Sequence, residues 1–385
     1  MLLKDQDFLR VPGPTPIPPS VQRAMTKPMI GHRSSGFKEI FSNLVPRLKP
    51  IFGTEQEVLT IAGSGTSGLE AAVVNVVKPG DEVLVLVTGA FGDRFAKICE
   101  QYHIYVHRID VPWGQAVPLE KVRECMEENH NIRAVFATFC ETSTGVLNPI
   151  ADIAKVIHES SEALFIVDGV SCIGAVKTEM DCWGVDLFIT GSQKAMMLPT
   201  GLAFLAISER SWKVIELNDQ PRFYLDLLKY RKSMNDHSTP FTPAVSLLYG
   251  LEQSLNLLEE EGLENVYKRH LLMKEMTRSA CRALGLPLLT ADGNASPTVT
   301  AVKPTLFSSD DLRNFLKKEF SLTLAGGQQS LKGEIFRVGH MGYCSPADVL
   351  QTISMLEVGL RASGVDVELG RGTAAAQDVY LKGEK

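Results

Sequence analysis

The chain has 385 residues, 44% of them hydrophobic and 22% charged, with a formal net charge of −6. That length suffices for a large core and two domains, and a negative balance with no long basic block argues against a general nucleic-acid binder. No apolar run approaches the roughly 20 residues that span a bilayer, Met1–Asp7 carries acids where a signal peptide has its apolar core, and seven cysteines without a CxxC pair suit reduced thiols in the cytoplasm.

Residues 1–20 read as an extended N-terminal arm. Its second half, Val11-Pro-Gly-Pro-Thr-Pro-Ile-Pro-Pro-Ser20, is too rich in proline for a helix or a central strand. Composition leaves it open whether the arm is a surface tether or crosses a partner subunit. From residue 58 the pattern alternates. Strands are expected at 58–62, 82–87, 104–109, 134–139, 163–167, 187–190 and 202–207. Helices are expected at 67–77, 91–102 and 150–160. Short, continuously apolar strands separated by helices predict an α/β fold with a mostly parallel sheet covered on both faces. This large domain is placed at 21–255. Helices at 243–260 and 263–285 lead into a smaller α+β domain, 256–365, with strands at 297–303 and 334–338 and helices at 309–319 and 346–362. Residues 366–385, rich in Gly and Ala, read as a loose tail.

Ligands of such sheets bind at the carboxyl ends of the strands. Gly63, Thr88, Cys140, Asp168 and Gly191 fall at or just past those ends. Gly63-Ser-Gly-Thr-Ser-Gly68 follows a strand and opens a helix, so free N–H groups, small residues and hydroxyls could cradle a phosphate there. A plain helix cap explains it equally well. It lacks the GK[ST] of a Walker loop, and no acid ends a strand at the distance a dinucleotide fold requires. Asp168 ends one apolar run, and Gly191-Ser192-Gln193-Lys194 ends the next. Alone, Asp168 could cap a helix and Lys194 could be a solvated loop residue. Together they match what pyridoxal 5′-phosphate (PLP) chemistry requires. A desolvated lysine amine holds the aldehyde as a Schiff base, and a carboxylate keeps the ring nitrogen protonated. The eight histidines have no acidic or Cys partners at metal-ligand spacing, so no metal is expected.

Gly-Ser-Gly-Thr at 63–66, Gly89–Arg94, Glu141–Val146, Val167–Val170, Gly191–Ala195, Thr239–Pro243 and Phe336–Met341 then occur in order. In these stretches, spread over roughly residues 10–360, the chain resembles the class V, fold type I PLP-dependent aminotransferases of the alanine–glyoxylate/serine–pyruvate group. The resemblance implies that Lys194 holds the cofactor and moves the substrate proton, and that Asp168 pairs with the ring nitrogen. It implies Ser64, Gly65, Thr66 and Gln193 on the phosphate, joined in a homodimer by Thr242 of the partner subunit. It places Phe91 on the ring, Thr142 near the ring hydroxyl, and Arg337 and Gly13 at the substrate. Simpler roles stay open: core packing for Phe91, a turn for Thr142, a cap for Thr242, an exposed strand position for Arg337.

The function so implied is transfer of an amino group from alanine or serine to glyoxylate or pyruvate. A 2-aminoethylphosphonate transaminase is the alternative, with Arg33 as a possible extra cation. Cysteine desulfurase is disfavoured, because residues 324–333 hold no Cys and Gln193, not His, precedes the lysine. A non-catalytic subunit would have no reason to keep Lys194, Asp168 and Arg337 together.

Overall fold

The computed structural model describes residues 7–383. The chain opens with β1 (Phe8–Arg10), α1 (Pro19–Ala24) and α2 (Ser35–Phe52). Strands and helices then alternate through β2 (Val58–Gly63), α3 (Gly65–Val76), β3 (Glu82–Val87), α4 (Ala90–Gln101), β4 (Tyr105–Asp110), α5 (Leu119–Glu128) and β5 (Ile132–Thr138). A short hairpin, β6 (Cys140–Glu141) and β7 (Val146–Leu147), precedes α6 (Ile150–Ser160), β8 (Leu164–Asp168), α7 (Met180–Trp183), β9 (Leu187–Gly191) and β10 (Gly201–Ile207). Four helices follow: α8 (Glu209–Leu217), α9 (Leu227–Met234), α10 (Val245–Glu261) and α11 (Leu263–Ala283). The chain ends through β11 (Val299–Val302), α12 (Ser309–Phe320), β12 (Leu322–Gly326), β13 (Phe336–Gly339), α13 (Pro346–Ala362) and α14 (Arg371–Gly383).

Seven strands form one sheet in the order β2-β10-β9-β8-β5-β3-β4, with β10 antiparallel to both of its neighbours and the other pairings parallel. Side chains alternate across it, as the pleat requires. Leu84, Leu86, Val135, Phe165, Val167 and Phe188 pack on one face against α2, α6 and α10. Val83, Val85, Phe136, Ile166 and Ile189 pack on the other against α3, α4 and α8. Both faces being covered explains why these strands read as unbroken apolar runs. A second sheet, β1-β12-β13-β11, backs onto α11, α12 and α13. This is the expected α/β architecture with a mostly parallel sheet. No helix among the described residues is long and apolar enough to cross a membrane.

Three segments differ from expectation. The arm is not extended throughout: Phe8–Arg10 pairs in parallel with Leu322–Leu324 as an edge strand, and Pro19 opens α1. Proline at a first helical position has no hydrogen bond to lose. The expected loose tail contains α14, whose buried side is made of Gly372 and Ala376. Such small residues give almost no hydrophobic periodicity, yet they let the helix lie close to its support; a Cβ on Gly372 would stand 2.8 Å from Leu284. Glu357 fixes its start by accepting from the backbone N–H groups of Gly370, Gly372 and Thr373 at 2.7–2.9 Å. Residues 1–6 of the arm and 384–385 of the tail lie outside the described residues. The third difference is α2, which sequence reading did not anticipate because it carries Pro46 and Pro50; Ser34 caps it and left-handed Gly53 ends it.

Candidate active site

The strand ends bring Asp168, Gly191–Lys194, the start of α3, the start of α4 and the β6–β7 hairpin together on one rim of the large sheet. Lys194 lies just past β9 and is only 7% exposed. Its Nζ donates to Ser171 Oγ at 3.2 Å and lies 5.8 Å from the Phe91 ring centroid. Burial lowers its pKa to about 8, the pull of Cys140 and Asp168 only partly opposing it. The backbone of Gly13 runs against its stem. A Cβ there would stand 2.5 Å from Cε and 2.6 Å from Cδ, at a φ of +127°. Thr15 ties the same arm down, donating from N to Gln193 O at 3.1 Å and from Oγ1 to Lys194 O at 2.9 Å.

Asp168 is buried at the end of β8. Its Oδ1 accepts from Val170 N at 2.9 Å, and no hydrogen bond to its second oxygen is formed within the described residues. Burial raises it to about 6, aided by the nearby negative charge of Glu141. One oxygen of a buried carboxylate is therefore available to a cationic N–H.

Ser64 stands at the N-cap of α3, but its side chain does not cap the helix. The first two N–H groups of the helix, those of Gly65 and Thr66, thus remain free for an anion, while Ser67 N donates to Ser64 O at 2.9 Å. Gln193 Oε1 is buried without a partner, and a Cβ placed on Gly191 would lie within 3.3 Å of both this oxygen and Gly65 N. A carbamoyl group turns about its last torsion at little cost, so Gln193 can present its NH2 at that helix start. Arg94 stacks on Phe91 at 4.7 Å and reaches Thr66 Oγ1 at 3.4 Å.

Arg337, on β13, is buried, and burial lowers its pKa to about 10. Its Nε and Nη2 share Gly326 O at 2.9 and 2.7 Å, and its Nη1 donates to Thr142 O at 2.7 Å. A guanidinium has five N–H donors. One hydrogen on each terminal nitrogen is left over, which is the end-on fork that grips a carboxylate. Thr142 Oγ1 meets Ser171 Oγ at 3.3 Å, closing a chain of hydroxyls to Lys194.

Two expected residues stand apart. Thr242 is exposed and lines a recess with Phe41, Thr60 and Tyr224. No hydrogen bond or ring contact joins it to the Lys194 cluster of its own chain. Arg33 is spent on the loop before Thr242, donating from Nη1 to Ser238 Oγ and Thr239 O, each at 2.7 Å. Sequence reading missed Ser171 and Glu141. Ser171 lies three residues after Asp168, and Glu141 opens a stretch in which only Thr142 drew attention; both matter through contacts with residues distant in sequence. Among the described residues no three His, Cys, Asp or Glu side chains are placed to hold a metal ion.

The family model described as aminotransferase class-V matches residues 8–353. The chain belongs to the class V aminotransferases. It is 41% identical to a protein of Synechococcus sp. named soluble hydrogenase, small subunit, over 98% of this chain and 99% of that one. It is 35% identical to the serine–glyoxylate aminotransferase of Hyphomicrobium methylovorum, over 97% of this chain and 94% of that one. Among solved structures, the ureidoglycine–glyoxylate aminotransferase of Bacillus subtilis matches with a TM-score of 0.92 over 99% of both chains, at 31% identity. The cofactor of this class V aminotransferase is pyridoxal 5′-phosphate. The residues fit that group. The uncapped helix start beside an unpaired Gln193 carbamoyl suits its phosphate, the open oxygen of Asp168 suits its ring nitrogen, and a neutralisable buried amine suits its aldehyde.

Proposed function

We propose that this aminotransferase moves the amino group of a small donor, L-serine or L-alanine, to a 2-oxo acid such as glyoxylate or pyruvate. When bound, the cofactor supplies an aldehyde that condenses with amines and a cationic ring that takes up the electron pair of a broken Cα–H bond. The observation that carries the reading is Lys194, a buried amine whose lowered pKa leaves roughly a tenth of it neutral at pH 7. The neutral Nζ can hold the cofactor, and once free it can take a proton from the donor's Cα and deliver it to the cofactor's C4′ carbon. Ser171 Oγ, as acceptor, orients Nζ while leaving its lone pair available. Asp168 would keep a proton on the ring nitrogen. The N–H groups and hydroxyls of Ser64, Gly65 and Thr66, with Gln193, would hold the phosphate, Phe91 would pack on the ring, and Thr142 would serve the ring hydroxyl. Arg337 grips the donor's α-carboxylate and thereby sets which Cα bond faces Lys194, with Gly13 closing the other side.

The homodimer belongs to the same reading. Thr242, exposed in the single chain, would reach the phosphate of the other subunit. Phe223 and Tyr224, 72% and 41% exposed, gather around Phe241 next to it and offer apolar area for a second copy. A cytoplasmic setting suits seven cysteines that are all free. Nothing favours the phosphonate alternative: Arg33 holds the 238–240 loop and makes no hydrogen bond to the Lys194 cluster of its own chain.

The test is a half-reaction followed by absorbance. L-Serine or L-alanine added to the PLP-loaded protein should abolish the long-wavelength band of the bound cofactor, and glyoxylate should restore it. A band that ignores both donors would reject the proposed donors. A protein that binds PLP without any lysine-dependent band would reject the role of Lys194.

A further inference from the structure

Glu141 is fully buried, a costly place for a carboxylate unless its lone pairs are filled. Here they are filled by the first turn of α4 on one oxygen and by Ser143 on the other. Oε2 accepts from Phe91 N and Gly92 N, both at 3.0 Å, and Oε1 accepts from Ser143 N at 3.1 Å and Ser143 Oγ at 2.5 Å. Ser143 Oγ in turn accepts from Ala90 N at 3.0 Å. Three successive N–H groups in the first turn of α4 are therefore held by two side chains of the β6–β7 hairpin. The helix has no capping side chain of its own; Gly89 stands at its N-cap. A Cβ on Gly89 would lie 2.6 Å from both Cγ and Cδ of Glu141, so glycine is what admits the carboxylate.

Two consequences follow from this placement. A carboxylate already fills the start of α4, while the start of α3 next to it keeps its N–H groups open. An incoming phosphate is thus steered to α3 by occupation of the competing site. The second consequence is mechanical. Phe91 rides on the turn that Glu141 anchors, and the adjoining carbonyl, Thr142 O, holds Arg337 Nη1. One three-residue segment, 141–143, sets both the ring that packs on the cofactor and the guanidinium that grips the substrate.

We propose that Glu141 is a positioning residue that fixes the Phe91 ring and, through Thr142, Arg337 relative to the cofactor. This rests on the reading of Phe91 as the ring packed on PLP. Both variants below keep Lys194 and Asp168 themselves; E141Q also removes a negative charge that helps to raise Asp168, an effect independent of Phe91 that the double-mutant cycle separates from positioning.

The experiment is a double-mutant cycle on PLP affinity, measured by equilibrium dialysis of the full-length protein, with visible circular dichroism of the bound cofactor as a second readout. F91A is expected to weaken PLP binding about tenfold. E141Q should weaken it by a similar factor in the wild-type background but less than twofold when Phe91 is already Ala, because the two act through one contact. E141Q should also reproduce the F91A change in the dichroic band and raise KM for the donor, reflecting a displaced Arg337. Multiplicative effects, about a hundredfold in the double variant, would overturn the proposal, as would a lower Tm with unchanged PLP affinity. If F91A alone leaves PLP affinity unchanged, the reading of Phe91 fails and the proposal falls with it, a result separable from multiplicativity. Should E141Q fold poorly, S143A, which removes the acceptor for Ala90 N and one of the donors to Glu141 Oε1 while keeping the carboxylate, replaces it in the same cycle under the same criteria.

Discussion

Replacing Gly13 with alanine should disable Lys194 while leaving the fold in place. The new Cβ would stand 2.5 and 2.6 Å from Cε and Cδ of Lys194, against ordinary carbon contacts of about 3.5–4.0 Å. Those atoms belong to the far part of a flexible side chain, so the lysine moves by about 1 Å and the protein keeps its packing. The remaining cost is backbone strain, because a φ of +127° suits glycine; it amounts to roughly 1–3 kcal/mol. With an unfolding entropy near 2.1 cal/mol/K per residue, a chain of this length loses about 1–4 °C in Tm. The chemistry suffers more. An ångström of misplacement at a reacting amine costs on the order of a hundredfold in rate. Steady-state transamination, a thermal melt and the lysine-dependent absorbance of bound PLP should therefore diverge: kcat down about a hundredfold, Tm down a few degrees, an altered band. A variant that loses those degrees yet keeps kcat within threefold of wild type would refute the reasoning, because Lys194 would then have room the geometry denies it.

Other consequences are equally open to measurement. E357A removes the acceptor from three N–H groups at the start of α14 and should cost about 2–4 kcal/mol; limited proteolysis should then cut near residue 370 while kcat stays within twofold. His270 and His340 are buried neutral, burial lowering them to about 3 and about 4. The unfolded chain takes up their protons below its ordinary histidine pKa near 6.5, so stability falls with pH from about 6.5 downward, roughly 2 kcal/mol for each between pH 7 and 5. Asp168, raised to about 6 in the absence of PLP, opposes this by about 1 kcal/mol over that window, since the folded state then binds the extra proton. Denaturant titrations of the apoprotein at pH 7 and 5 should show the net loss, and H270Q should shrink it; an unchanged pH dependence would refute the assignment. S171A, which removes the hydrogen-bond partner of Lys194 Nζ, should lower kcat about three- to tenfold with Tm unmoved; a fall in Tm without a fall in kcat would make Ser171 a packing residue.

What sequence could reveal was set by how local the cause is. The strand at 82–87 and the helices at 150–160 and 346–362 run to the expected bounds, because each is fixed by its own periodicity and flanking breakers. Lys194 and Asp168 were readable for a related reason: in a sheet covered on both faces, the residue after an apolar run lies on the ligand-binding rim whatever the rest of the chain does. Elsewhere the cause is distant. The proline-bearing α2 and the Gly/Ala-built α14 are helices because of what they pack on, and Glu357 is needed to start the latter. Arg33 reads in sequence as a spare cation, and its hold on the 238–240 loop is visible only in the fold. Ser171 and Glu141 carry no signal of their own; one matters because Lys194 bends toward it, the other because a helix 50 residues earlier in the chain points its first turn at it.

The distribution of buried charge around Lys194 follows a single logic. Two cations, Lys194 and Arg337, and two carboxylates, Asp168 and Glu141, are buried together, yet no carboxylate pairs directly with Lys194. Had Asp168 closed to about 4 Å, even an effective dielectric near 20 would favour the ammonium by about 4 kcal/mol, around three pKa units. That would return the lysine above its ordinary value and leave almost no neutral amine at pH 7. Instead Nζ meets an uncharged hydroxyl, Glu141 is saturated by α4 and Ser143, and Asp168 spends one oxygen on Val170 N and keeps the other free. Arg337 is satisfied by backbone carbonyls rather than by a carboxylate, so its remaining fork meets an incoming anion without first breaking an ion pair. Each charged group is thus held by neutral dipoles or by backbone. On the proposed reading their full Coulombic strength is left for the ring nitrogen and the substrate carboxylate, and Lys194 stays deprotonatable between them.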